Sequence, residues 1–206
     1  MSGEPTIYPY LGEMIKEIRK RKAVSFLVTN GLNPKALIKL EKENCLPTQI
    51  SISCNAPNES LFKIWHRSSE KNAWKKFNES LKVLKTLKEK VRRAVRLTLV
   101  KEGKNKKARF NLLSNMKDEN VLEYVNLIKK ACPNFIHVKG FMSVGYARER
   151  IGYDKQPWHY EVKNFAEKIL DELKKDDKKW KILGEEERSC VVLLGKNKKM
   201  MKIKKV

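Results

Sequence analysis

Long apolar runs are missing from this 206-residue chain, and with them any transmembrane helix, which needs about 20 consecutive apolar residues. The opening Met1-Ser2-Gly3-Glu4-Pro5 lacks the charged and apolar regions of a signal peptide, so an intracellular, cytoplasmic protein is expected. Cysteine is scarce: Cys45, Cys54, Cys132 and Cys190 lie far apart, with no CxxC, no CxxxCxxC and no short Cys/His pairing. That spacing gives no metal site readable from sequence and fits free thiols better than a disulfide framework. Acidic residues are also few, 24 Asp+Glu against 46 Lys+Arg, leaving a formal net charge of +22. Such an excess suits a polyanionic partner or a lysine-rich proteome. What is present in quantity is apolar: a hydrophobic fraction of 41% with 8% aromatics supports a packed core and excludes a wholly disordered basic tail. The length suits one or two domains.

Apolar periodicity alternates between helix and strand spacing, the pattern of a parallel sheet closed by crossover helices. Leu11, Met14, Ile15 and Ile18 recur at helical spacing, and residues 23–28 read as a buried strand ended by Asn30-Gly31. Pro34 opens a short helix through Leu37, Ile38 and Leu40. Residues 48–54 form a second strand, which Pro57 stops. Trp74, Phe77, Leu81, Leu84, Leu87 and Val91 mark what reads as the longest helix, a stripe of core packing. A third strand over residues 94–100 empties into the basic loop 101–107. A helix with Val121, Leu122, Val125, Leu127 and Ile128 and a fourth strand over 135–141 follow. Beyond Phe141, Gly145, Gly152 and Pro157 punctuate a loop, and Tyr160, Val162, Phe165, Ile169 and Leu173 mark a further helix. Residues 180–183 and 190–194 read as two short strands paired as a closing appendage, and the lysine-rich residues 196–205 as a solvated terminus.

In sheets of parallel strands, ligands bind where the strands end. The residues falling there are Ser2-Gly3-Glu4-Pro5-Thr6, Thr29-Asn30-Gly31, Ser53 to Pro57, Arg96 with Thr98, and Lys139-Gly140. Singly these are weak signals, since Thr-Asn-Gly is commonly just a turn and an arginine commonly a structural ion pair. In this order, however, the runs SGEPTIYPYL, FLVTNG, PTQISISCNAP, VRLTLV and FIHVKGFMSVGY resemble the radical S-adenosylmethionine enzymes that make the wyosine base of tRNA, the tRNA 4-demethylwyosine synthases, and archaeal members above all. The segment with Pro157-Trp158-His159 and Glu187-Arg188-Ser189 is similar to that family's wyosine-forming segment.

The resemblance implies an α/β fold: a partial radical SAM (β/α)6 barrel over residues 1–141, missing its first strands, with a small α+β appendage and basic tail over 142–206. It implies that Gly3 and Glu4 receive the methionine amino group of S-adenosyl-L-methionine. Asn30 and Ser53 would bond the ribose hydroxyls, and Arg96 would pair with the cofactor carboxylate. It further implies a [4Fe-4S] cluster, and a reaction in which the methyl group of N1-methylguanosine beside the anticodon condenses with a two-carbon fragment of pyruvate. Lys139 is the candidate for a Schiff base to pyruvate, its alternative being a surface or ion-paired lysine. His159 is a candidate proton shuttle or RNA contact, its alternative a packing role at a helix start. His66 and His137 read as structural.

The sequence departs from the family pattern in three respects. The family's CxxxCxxC lies upstream of the Gly-Glu motif, where this chain has only Met1 and Ser2, so the chain alone is not expected to bind the cluster. Asn55 stands where relatives carry Asp, and His137 where they carry an acidic residue. A truncated gene model, a split enzyme with a separate N-terminal half and a decayed remnant all account for the pattern. In each case the first strand here is expected to have an exposed edge and the isolated chain to be poorly soluble. Basic runs at residues 16–22, 82–93, 101–109 and 174–181 fit RNA phosphates. They also support the rival reading of a noncatalytic RNA-binding module with an idle cofactor pocket.

Overall fold

The computed structural model describes residues 3–103 and 113–203; Ser2, part of the basic run at 101–109 and the last lysines lie outside the described residues. One mixed six-stranded sheet organises the chain, in the order β1-β2-β3-β4-β6-β5. Strands β1 (Phe26–Thr29), β2 (Gln49–Ser53), β3 (Arg92–Leu99) and β4 (Phe135–Gly140) run parallel. The helices between them are α2 (Pro34–Lys42), α3 (Glu59–His66) with α4 (Ala73–Thr86), and α5 (Asn120–Ala131). Helix α1 (Leu11–Lys20) precedes β1. Past β4 come the short α6 (Tyr146–Arg150), the long α7 (His159–Asp176), and the hairpin β5 (Lys181–Glu186) and β6 (Val191–Gly195). Among the described residues no helix is long and apolar enough to cross a membrane.

Three details differ from the sequence reading. The hairpin is no separate appendage: β6 pairs antiparallel with β4, Phe135 opposite Gly195, because the free side of β4 offers a row of unpaired backbone groups. The longest helix is α7, of 18 residues, not α4. Helix α4 ends at Thr86, and Glu89 takes a positive φ of 68°, so Leu87 and Val91 of the apolar stripe belong to the turn leading into β3. Finally, β1 lies at the sheet edge as expected, but it is exposed on one face, Phe26 at 52% and Val28 at 42%, and not a buried strand.

Side chains alternate across a strand, and here the alternation separates two unlike faces. Leu27, Ile50, Ile52, Val95, Leu97, Leu99, Ile136, Val138, Val192 and Leu194 face the helices and form one core with Leu37, Phe77, Leu81, Tyr124, Phe165 and Ile169. Among the described residues the other face is covered by none of the long helices. Near the strand starts it is closed by a small cluster of Ala94, Phe135 and Leu183 with Leu193 and Met201. Toward the strand ends it stays polar. Parallel strands ordinarily read apolar on both faces, so a polar face free of long helices marks where a ligand fits.

An aromatic cluster braces the helical side. Phe62 lies 5.3 Å from Phe77 and 5.2 Å from Trp74, and His66 stacks on Phe62 at 4.0 Å. Burial pushes the His66 imidazole down to about 4 from 6.5. A base whose folded pKa is depressed favours the native state only while neutral. Its contribution is therefore complete above about pH 6.5 and is lost as pH falls toward 4, on the order of 2 kcal/mol. Urea unfolding at pH 7 and pH 4.5 is expected to show this loss, and His66→Phe, which keeps the stack, to reduce it by that amount. An equal loss in both proteins would show that His66 does not report on acid stability.

Candidate active site

The open face is built by register. Ser53, Arg96, His137 and Leu193 lie side by side across β2, β3, β4 and β6. One step nearer the strand ends, Thr98 sits opposite Lys139, and Lys139 opposite Val191. Ser53, Arg96, Thr98, His137 and Lys139 are all half-buried. No salt bridge within the described residues reaches Arg96 or Lys139, although sixteen such pairs form elsewhere. The His137 imidazole is held below its ordinary pKa by burial first, then by the positive charge of Arg96 and Arg92. Two cations and a neutral imidazole thus share a surface with no carboxylate to pair them, an arrangement that attracts a carboxylate or phosphate.

The rim of this face is tied together by Glu4. Its Oε1 accepts from the Thr6 backbone N–H at 3.1 Å, the Thr6 hydroxyl at 2.7 Å and the Thr29 hydroxyl at 2.6 Å. Its Oε2 accepts from the Asn30 N–H at 2.8 Å. A carboxylate offers about four lone-pair positions, two on each oxygen; three donors crowd Oε1, while Oε2 receives one. Gly3 stands beside it with open space around its Cα. Thr29 also accepts from the Gly31 N–H, and Asn30 Oδ1 from the Leu32 N–H. Gly31 takes φ +75°, and a Cβ there would lie 3.1 Å from Ile52 and 3.2 Å from Phe77, so the turn requires glycine. Gly140 is glycine for a packing reason, because a Cβ would press on Val162, Cys190 and Pro157 at 3.1 to 3.2 Å.

Asn115 was not singled out by sequence reasoning. Fully buried, it donates to the carbonyls of Asn55 at 2.7 Å and Thr98 at 2.8 Å and accepts from the Val100 N–H at 2.8 Å, so it clamps the ends of β2 and β3. Tyr124 donates to the same Asn55 carbonyl at 3.2 Å. No periodicity surrounds Asn115, so only its hydrogen bonds reveal its part. All four cysteines are free, and burial raises the pKa of Cys54. Among the described residues no three His, Cys, Asp or Glu side chains come together as a metal site, so these residues do not fit a [4Fe-4S] cluster.

His159 and Lys139 are not brought together. Lys139 is on the open face, whereas His159 starts α7 on the helical side, where its Nε2 lies 3.2 Å from Glu185 Oε2. Lys163 reaches the other oxygen of Glu185 at 3.2 Å, and the hydrogen bonds from Lys163 and then His159 lower the Glu185 pKa.

Residues 130–196 match the family described as wyosine base formation. Proteins named S-adenosyl-L-methionine-dependent tRNA 4-demethylwyosine synthase align along most of the chain. That of Pyrococcus abyssi is 35% identical over 173 residues, covering 84% of this chain and 46% of the relative. That of Methanocaldococcus jannaschii is 34% identical over 202 residues, covering 97% and 56%. A solved structure of TYW1 with a lysine-pyruvate adduct bound superposes with a TM-score of 0.70 at 27% identity, covering 95% of this chain and 55% of the other. The chain thus spans about half the length of the relatives it matches.

Proposed function

We propose that this chain, a homologue of the tRNA 4-demethylwyosine synthases, supplies the C-terminal part of such an enzyme, working in the cytoplasm on N1-methylguanosine beside the tRNA anticodon with pyruvate and S-adenosyl-L-methionine. The observation that carries the reading is the open face on which Ser53, Arg96, His137, Thr98 and Lys139 share register, while no salt bridge among the described residues engages Arg96 or Lys139. In this reading residues 1–141 are the partial barrel and 142–206 the wyosine-forming segment, which the family match extends back into α5.

Bound S-adenosyl-L-methionine supplies the radical chemistry; the residues here hold it. Gly3 and Glu4 would hold its ammonium, in a stretch kept in shape by the hydrogen bonds to the Glu4 carboxylate. Asn30 and Ser53 would bond its ribose hydroxyls, and Arg96 would pair with its carboxylate. Lys139 attacks the C2 carbonyl of pyruvate through its neutral amine, forming a C=N bond with loss of water. The nearby cations favour the pyruvate carboxylate. His159, committed to Glu185, fixes the start of α7 and through it the loop that leaves β4.

The cluster-bearing strands of the family, in the same or another chain, are part of the proposal. They would pair with the open edge of β1, where Phe26 and Val28 are exposed. A second reading, a noncatalytic RNA-binding module, is favoured by the absence of a cluster ligand set among the described residues. Reductive capture of pyruvate separates the two. Incubating the chain with pyruvate and cyanoborohydride is expected to modify one lysine selectively, read by peptide mass spectrometry. The binding-module reading predicts only diffuse labelling of surface lysines.

A further inference from the structure

Between β4 and α7 the chain exposes its rings. Tyr146, Tyr153, Trp158 and Tyr160 keep 58, 58, 53 and 63% of their surface open. Two of them, Trp158 and Tyr160, line a cleft of about 580 Å³ together with Met142, Lys163 and Arg188. Glu187 is the carboxylate among the lining residues.

The Trp158 wall is set in advance. Its backbone N–H donates to Glu161 Oε2 at 2.7 Å, and the same oxygen receives Lys101 Nζ at 2.9 Å. Pro157 before it limits the backbone further. An aromatic side chain has only two rotatable angles, so it loses little freedom on binding. The lining sets Trp158, Tyr160 and Met142 beside Lys163, which also reaches Glu185, and Arg188. Unpaired nucleotides suit it: every base has a π face to stack on an aromatic ring, and each phosphate meets a cation. The net charge of +22 favours a polyanion over a neutral or basic peptide.

We propose that this cleft is a stacking platform for unpaired RNA nucleotides, with Trp158 and Tyr160 under the bases and Lys163 and Arg188 against the phosphates. The proposal rests on the reading above only for which RNA is natural, an anticodon loop. The test is fluorescence anisotropy of the full chain with a labelled anticodon stem-loop and a blunt RNA duplex. The wild-type chain is expected to prefer the stem-loop. Trp158→Ala and Tyr160→Ala are each expected to weaken that binding about 5- to 100-fold, Trp158→Phe to retain it, and Arg188→Gln to reduce the salt slope by about one. Both rings are more than half exposed, and a circular dichroism melt checks that the variants fold. If the alanine variants bind the stem-loop as tightly as wild type, the platform is wrong and the enzymatic reading stands. If the wild-type chain binds neither RNA, both fail.

Discussion

Lys139→Met is expected to abolish selective capture of pyruvate, and Lys139→Arg to abolish it equally. The two variants separate nucleophile from charge. Arginine keeps a cation on the open face beside Arg96 and His137, but its guanidinium stays protonated and forms no imine. The prediction depends on environment as much as on residue type. Several of the chain's surface lysines are engaged by carboxylates, such as Lys63 with Glu59 at 2.9 Å and Lys196 with Asp177 at 2.7 Å. Lys139 is half-buried on a face it shares with Arg96 and His137, and no salt bridge among the described residues engages it. Peptide mapping after reduction is expected to place the adduct on residue 139 in the wild-type chain and nowhere selectively in either variant. An adduct that persists in Lys139→Met would move the Schiff base to another lysine.

Glu4→Ala is expected to cost both stability and cofactor binding. Removing the carboxylate strands the Thr6 and Asn30 N–H groups and the hydroxyls of Thr6 and Thr29. Hydrogen bonds to charged groups contribute roughly 1.5–3 kcal/mol each and are not additive, so a total loss of about 2–4 kcal/mol is expected for this partly buried set. Thr29 anchors Gly31 in turn, so the end of β1 loosens along with the loop around Gly3. Calorimetric titration with S-adenosyl-L-methionine, on the chain joined to the cluster-bearing strands, is expected to lose its signal while anticodon stem-loop affinity stays within about twofold, since the proposed phosphate contacts lie elsewhere. Glu4→Gln is the informative companion. It keeps the shape but sets an amide donor against other donors, so an intermediate loss is expected. Unchanged cofactor affinity in Glu4→Ala would overturn the assignment of this loop.

How far these sites were legible in the sequence depends on whether local pattern or register decides them. Helices α1, α2, α5 and α7 and the four parallel strands follow from apolar spacing, because each buries one face on a common core. Helix α3 went unread although Asn58 caps it, accepting from the Leu61 N–H at 2.9 Å, and Leu61, Phe62 and Trp65 recur at helical spacing. The exposed face of β1 and the joining of β6 to β4 were not readable, because both depend on what packs against each strand, whereas the open edge of β1 was expected from the family resemblance. At the site, the residues at the strand ends were legible one by one, while the row linking Ser53, Arg96 and His137 was not. His137 was read as structural, and register places it between the candidate cofactor and pyruvate residues. Glu4 was legible as important, but its four hydrogen bonds back into the chain required coordinates.

The most direct test of the account is the modification state of tRNA in cells from which this gene has been deleted. Nucleoside mass spectrometry of tRNA cleaved beside the anticodon is expected to show N1-methylguanosine accumulating and the tricyclic base gone, with both restored by the wild-type gene and not by Lys139→Met. Tricyclic base at undiminished level in the deletion strain would contradict a role for this chain in forming it.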